Sequence, residues 1–200
     1  MLHSAFDVAR KQGFEAVTAA SVAANMGYTG SSLFTHFESM DALRQEVYLM
    51  AKQKAADFFE GSLCYFPAFK ELGMRWIRFA KNEPKLYRML FAGNPFTHTE
   101  DVATEFEEIF EPIRKEVEKA FELTEDHAKR LMSSCITQAN GIALAIINGF
   151  GEDYTEERLS EELSNICIGM VLLFKVKDES LTLESAKRIA AATTNQPVRK

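Results

Sequence analysis

Residues 18–43 read TAASVAANMGYTGSSLFTHFESMDAL, and the punctuation of this stretch decides the fold. Thr18 offers a hydroxyl to cap a short helix, and Gly27 ends it, being free to take the left-handed conformation that closes a helix. A second short helix is expected to begin after Thr29 and to end near His36. Val22, Ala23, Met26, Leu33 and Phe37 supply a small shared core for the two, and the three-residue turn around Gly27 sets them at a steep angle. Such a helix-turn-helix lays the exposed face of its second helix in the DNA major groove, with base contacts from its N-terminal residues. By that geometry Thr29, Gly30, Ser31, Ser32, Thr35 and His36 face DNA. Phe37 is a core aromatic. Phe34 is either core or a ring lying along the sugar-phosphate backbone.

Outward from this stretch, apolar residues keep a helical period almost everywhere and period-two alternation is nearly absent. Upstream, a helix over 2–12 carries Leu2, Ala5, Phe6 and Ala9 on one face and stops at Gly13. Downstream, Leu43, Val47, Met50, Ala51, Lys54, Ala55 and Phe58 mark a long helix from Met40 to about Gly61. Helices follow over 66–81, 85–91 and 101–121, the second opened by Pro84 at a first-turn position. Pro112 is expected to kink or break the third. Thr124 and Thr155 each cap a further helix, with acidic residues in its first turn. A last amphipathic segment spans Leu183 to Ala191. The expected class is all-α: a three-helix N-terminal domain over 1–46 and a larger helical domain over 47–200.

Composition agrees. The chain has 200 residues, 46% hydrophobic and 26% charged, with only ten Gly and five Pro, too few for the turns of an all-β fold. Cys64, Cys135 and Cys167 lack metal-ligand spacing and read as core residues of a reducing compartment. The N-terminus shows no secretory pattern, so a cytoplasmic location is expected. Residues 131–151 carry no charge and are long enough to span a bilayer, but two Asn, one Gln and three hydroxyls make lipid a costly surrounding. No membrane association is expected. His3, His36, His98 and His127 share no metal spacing, and no Ser, Cys or carboxylate constellation suggests a nucleophile or an acid–base pair. Neither metal nor cofactor nor enzymatic activity is expected.

The pattern over the first 45 or so residues resembles the DNA-binding domain of TetR-type regulators. Gly27, Tyr28, Thr29, Leu33, Phe34, His36, Phe37, Ser39 and Leu43 fall on that family's positions, as do Gly13, Phe14, Thr18, Val22 and Ala23. The resemblance implies a ligand-responsive transcriptional regulator, expected to be a repressor, that binds palindromic operator DNA as a homodimer. The rest of the chain is similar to the family in architecture only. Two departures concern phosphate: Phe34 stands where the family usually has Tyr, and Met40 where it usually has Lys. Members also usually carry a basic extension ahead of the first helix, whereas this sequence opens almost inside it. No Lys or Arg occurs between Thr18 and Phe37. The first fifty residues hold Arg10, Lys11 and Arg44 against Asp7, Glu15, Glu38, Asp41 and Glu46. Because phosphate neutralisation supplies much of DNA affinity, the alternative is a helical ligand-binding or interaction module of this fold with weak or lost DNA binding.

In the larger domain, Phe58, Trp76, Phe79, Met89, Phe106 and Phe110, joined by Gln138 and Asn140, are the candidate lining of a pocket for a small, apolar effector. The expected pocket is bounded by the long helix from Met40 and by the helices of Trp76 and Phe106. Each aromatic taken singly also suits plain core packing. Ile136, Ala143, Ile147, Met170 and Phe174 give the helices near 125–149 and 156–174 more apolar surface than one core-facing stripe requires. They are the candidate dimer interface.

Overall fold

A computed structural model describes residues 1–27, 38–66, 68–93, 106–150, 154–191 and 196–197. The second helix of the helix-turn-helix, and with it Leu33 and Phe37, lies outside the described residues. The regular structure of the described residues is helical apart from a two-residue antiparallel pairing of Tyr65–Phe66 with Gln196–Pro197. Packing divides it into two compact units, Met1–Asp57 with Phe79–Glu100, and Phe58–Arg78 with Asp101–Lys200.

The first unit begins with α1 (Leu2–Gln12), which buries Ala5, Val8 and Ala9. Leu2 and Phe6, expected on this face, are only half-buried. Gly13 takes φ 104°, a left-handed value that stops the helix where an L side chain would be strained. A 3-10 turn (Phe14–Ala16) leads to α2 (Ala19–Met26). Here Thr18 Oγ1 accepts the Ser21 N–H at 3.2 Å and Ser21 Oγ accepts the Thr18 N–H at 3.0 Å, a reciprocal cap that satisfies two otherwise orphan donors. Gly27 closes α2 at φ 74°. Helix α3 (Met40–Glu60) opens with Ser39 Oγ accepting the Ala42 N–H. It buries Leu43, Val47, Ala51 and Ala55 at four-residue intervals within this unit. The segment from Phe79 adds α5 (Pro84–Tyr87), with Pro at its first turn, and a π-helical turn over Arg88–Ala92.

In the second unit, α4 (Ala68–Asn82) contributes its residues up to Arg78, and four helices follow. They are α6 (Glu107–Phe121), α7 (Glu125–Ile147), α8 (Glu156–Lys177) and α9 (Leu183–Ala191). Thr124 and Thr155 cap α7 and α8 by accepting the N–H of His127 and of Arg158, each at 3.2 Å. Trp76 stacks on Phe59 at 4.9 Å and 11°, with Phe106 and Phe110 around them. α6 runs through Pro112 without the break that proline invites. One lost N–H···O bond is offset there by burial of Ile109, Phe110, Ile113 and Val117 along the same helix. Lys175, 5% exposed, donates to the Glu122 carbonyl at 3.0 Å, placing a cation at the carbonyl end of α6.

The uncharged stretch 131–151 lies largely in α7, with Leu131, Met132, Cys135, Ala139, Ile142 and Ala143 buried. Thr137 donates to the Ser133 carbonyl at 2.8 Å and Gln138 is exposed, so the first of these polar groups is met by the helix itself and the second by solvent. Among the described residues, no helix is long and apolar enough to cross a membrane.

Candidate nucleic-acid interface and effector cleft

Thr29, Gly30, Ser31, Ser32, Phe34, Thr35 and His36, the candidate DNA-reading residues, lie outside the described residues. What the structure describes is the chain on either side of them. Ser4 and Asn25 tie α1 to α2, the amide donating to Ser4 Oγ at 2.8 Å and to its carbonyl at 3.3 Å. Val22 is wholly buried, Ala23 nearly so and Met26 half-buried, as a small helix-turn-helix core requires. Arg44, at the start of α3, donates to the Val17 carbonyl at 3.0 Å and lies 5.9 Å over the Phe14 ring. It holds the start of α3 against the turn ahead of α2.

A second tether went unseen in the sequence. Glu83, just ahead of α5, is 7% exposed and receives two bonds from Arg10, Nε at 2.6 Å and Nη2 at 2.5 Å. Lys54 Nζ stands 3.5 Å away on α3. One buried carboxylate thus joins α1, α3 and the start of α5. It also explains the one charge on the apolar face of the long helix. The Glu83 bond and charge hold the Arg10 guanidinium above its usual range. No local spacing announces such a contact, since its partners are 73 residues apart.

Arg10 and Arg44 are therefore both engaged in internal bonds. They are two of the three cations in the first fifty residues. Met40, one of the two departures from the family pattern, is the half-buried first residue of α3.

The second unit contains a cleft lined by Phe69, Lys70, Leu72, Gly73 and Trp76 of α4, Cys135, Ile136 and Ala139 of α7, and Leu163 of α8. It holds about 360 Å³ of space between atoms, its open mouth included, but only about 20 Å³ can be reached by the centre of a water molecule, room for one such molecule. Of the residues expected to line a pocket, Trp76 lines this cleft. Phe58, Phe106 and Phe110 pack on or around the Phe59–Trp76 stack. Phe79 and Met89 are buried in the other unit, Phe79 against Phe91. Gln138 is exposed and Asn140 half-buried, and neither lines the cleft. The cleft therefore opens on a different flank of Trp76 from the one expected, because the aromatics of α3 and α6 fill their side with one another. The Cys135 and Cys167 thiols are pushed up by burial, Cys167 to about 12, which keeps them protonated and unreactive.

Of the candidate interface residues, Ala143 and Phe174 are buried within the single chain, Phe174 stacked on His127 at 4.3 Å. Ile136 lines the cleft, and Ile147 and Met170 are half-buried. The outward apolar positions of α8 are one helical step away, at Leu173 and Val176, 49% and 57% exposed.

Residues 1–47 match the family of bacterial regulatory proteins described as tetR family. The fold is similar to that of a tetR-family transcriptional regulator from Streptomyces coelicolor, at 15% identity and a TM-score of 0.61, covering 96% of this chain and 85% of that one. A second similar structure is assigned as a tetR family transcription regulator from Shewanella sp. PV-4, at 19% identity and a TM-score of 0.50, covering 86% of this chain and 93% of that one. No curated protein matches the chain.

Proposed function

Because this chain carries the tetR-family N-terminal domain on a tetR-type helical fold, we propose that it is a ligand-responsive transcriptional repressor that binds operator DNA as a homodimer. The observation that carries the reading is the family match over the segment whose capping, turn and core also read independently as a helix-turn-helix. Residues 1–46 form the DNA-binding part and 47–200 the effector-binding and dimerising part. Thr29, Gly30, Ser31, Ser32, Thr35 and His36 read the major groove, with Phe34 along the backbone.

Dimerisation through α7 and α8 is supported by two glycines as well as by the exposed Leu173 and Val176. Gly141 and Gly169 are exposed, and a Cβ added to either would meet nothing within 4 Å. Glycine inside a helix costs about 1 kcal/mol relative to alanine. That cost is offset where a second backbone must come close. An effector entering the cleft beside Trp76 would act by changing the spacing of the two reading heads, since palindromic half-sites lie about 34 Å apart and tolerate little change.

Fluorescence-polarisation titration against DNA from the promoter region beside the gene, with a scrambled duplex as control, tests the proposal. A preference of at least a hundredfold for the promoter DNA supports it, and equal affinity for both duplexes refutes it. The weak-binding alternative is favoured by one observation, the internal engagement of Arg10 and Arg44. It predicts that neither duplex binds at micromolar protein.

A further inference from the structure

Two walls of the cleft meet at one point. Gly73 of α4 stands there, and the end of the Leu163 side chain of α8 lies over it: a Cβ added to Gly73 would be 3.0 Å from Leu163 Cδ1 and 3.6 Å from Cδ2. Glycine inside a helix is less favourable than alanine, and here the missing side chain is what admits the leucine branch. Leu163 is 5% exposed, so the branch fills space inside the cleft rather than at its rim. With the branch in that place, the room left takes a single water. The walls around it yield less readily. Gly73 and Ala139 have no side-chain torsion to turn, and Trp76 is stacked on Phe59 at 4.9 Å. Leucine turns between staggered wells.

The same lining restricts the chemistry of what can enter. Eight of the nine lining residues are aliphatic, aromatic, glycine or the Cys135 thiol, which burial keeps protonated. The ninth, Lys70, already has an interaction of its own within the chain. A charge carried into this lining would lose its water without replacement, whereas apolar surface gains by leaving water. We infer that the effector is an uncharged apolar molecule held without hydrogen bonds, and that Leu163 sets its size by swinging off Gly73 to make room for it. This rests on the reading of the cleft as the effector site and adds the ligand's charge class and the residue that selects for length.

Trp76 is the only tryptophan of the chain, so its emission reports the cleft directly. The experiment titrates the 200-residue protein with benzene, toluene, ethylbenzene and n-propylbenzene, and with benzoate as the charged control, in wild type, Leu163→Ala and Gly73→Ala. Circular dichroism checks folding, and Gly73→Ala, which favours the helix, carries the comparison if Leu163→Ala does not fold. In wild type each added carbon should tighten binding about fourfold, until the chain reaches the limit of the Leu163 swing and affinity falls. Leu163→Ala should move that fall to a longer compound and Gly73→Ala to a shorter one, while benzoate does not bind at millimolar concentration. A rise that continues unbroken through the series in wild type, or a fall at the same compound in wild type and in a folded variant, overturns Leu163 as the size-setting residue and leaves the cleft a ligand site. Benzoate binding as tight as that of toluene overturns the uncharged class. Silence of Trp76 to all four hydrocarbons overturns the cleft reading itself.

Discussion

Replacing Arg10 should be more damaging than replacing Glu83, although the two share one ion pair. The carboxylate is 8% exposed and the Arg10 side chain 46% exposed. In Arg10→Met, two charge-assisted bonds go and Glu83 stays buried with Lys54 at 3.5 Å as the remaining cation. Stripping one partner from a fully buried pair costs about 3–5 kcal/mol. The exposure of Arg10 and the survival of Lys54 pull the figure toward the surface limit of about 0–1 kcal/mol, so about 2 kcal/mol is expected. In Glu83→Gln the buried group becomes neutral, its amide oxygen can still accept from Arg10, and both cations can turn to water. About 1 kcal/mol or less is expected there. For a chain of this length, 1 kcal/mol moves Tm by about 2–4 °C. Thermal melts followed by circular dichroism at neutral pH should show Arg10→Met lowered by about 4–8 °C and Glu83→Gln by at most about 4 °C. A Glu83→Gln protein less stable than Arg10→Met would refute the reasoning that burial of the carboxylate sets the asymmetry.

Three further outcomes follow from the packing. Trp76→Ala removes a ring that is 2% exposed and stacked on Phe59. It should destabilise by about 3–5 kcal/mol, read by urea denaturation, so Trp76→Phe is the variant for separating binding from folding. Burial raises the Glu116 carboxyl above its ordinary value, which makes its charge a burden that is absent below the unfolded value of about 4.5 and complete above the folded one. Glu116→Gln, which keeps an acceptor for Ala68, should raise Tm at pH 7, and the gain should vanish near pH 4. A gain independent of pH would remove desolvation as its cause. Leu173→Glu alters a side chain that is 49% exposed in the single chain, so sedimentation should report a folded monomer in place of a dimer. A dimer that persists would exclude α8 as the interface.

Local chemistry was legible in the sequence, and long-range partnership was not. Thr18, Gly27, Thr124 and Thr155 act within a few residues of themselves, so their caps and stops could be read from spacing alone. Periodicity gave α3 and α7 within two residues or so at their ends. It could not give the rotation of a helix to within one side chain, and so it chose Ala143 and Phe174 in place of Leu173 and Val176 for the outward face. The tether at Glu83 and the cleft lining need partners from distant segments. Trp76 presents two flanks to two sets of neighbours, and the abundance of Phe says nothing about which flank is filled. Of the two outcomes expected at Pro112 the break does not occur, because a local rule about hydrogen bonding yields to the burial of a whole helix face.

The charge deficit of the N-terminal domain gives the most direct test of the account, the salt dependence of promoter binding by the 200-residue protein and by its Phe34→Tyr/Met40→Lys variant. With Arg10 and Arg44 engaged internally, few cations are left to displace counterions, so the slope of log affinity against log salt should be shallow. The variant adds one lysine per protomer, two per dimer. It should bind more tightly and steepen the slope by about 2, at roughly 0.9 per phosphate neutralised. A steep slope in the unmodified protein would reveal a basic surface that this account lacks. A variant with unchanged affinity and slope would mean that the helix-turn-helix does not dock on DNA as proposed.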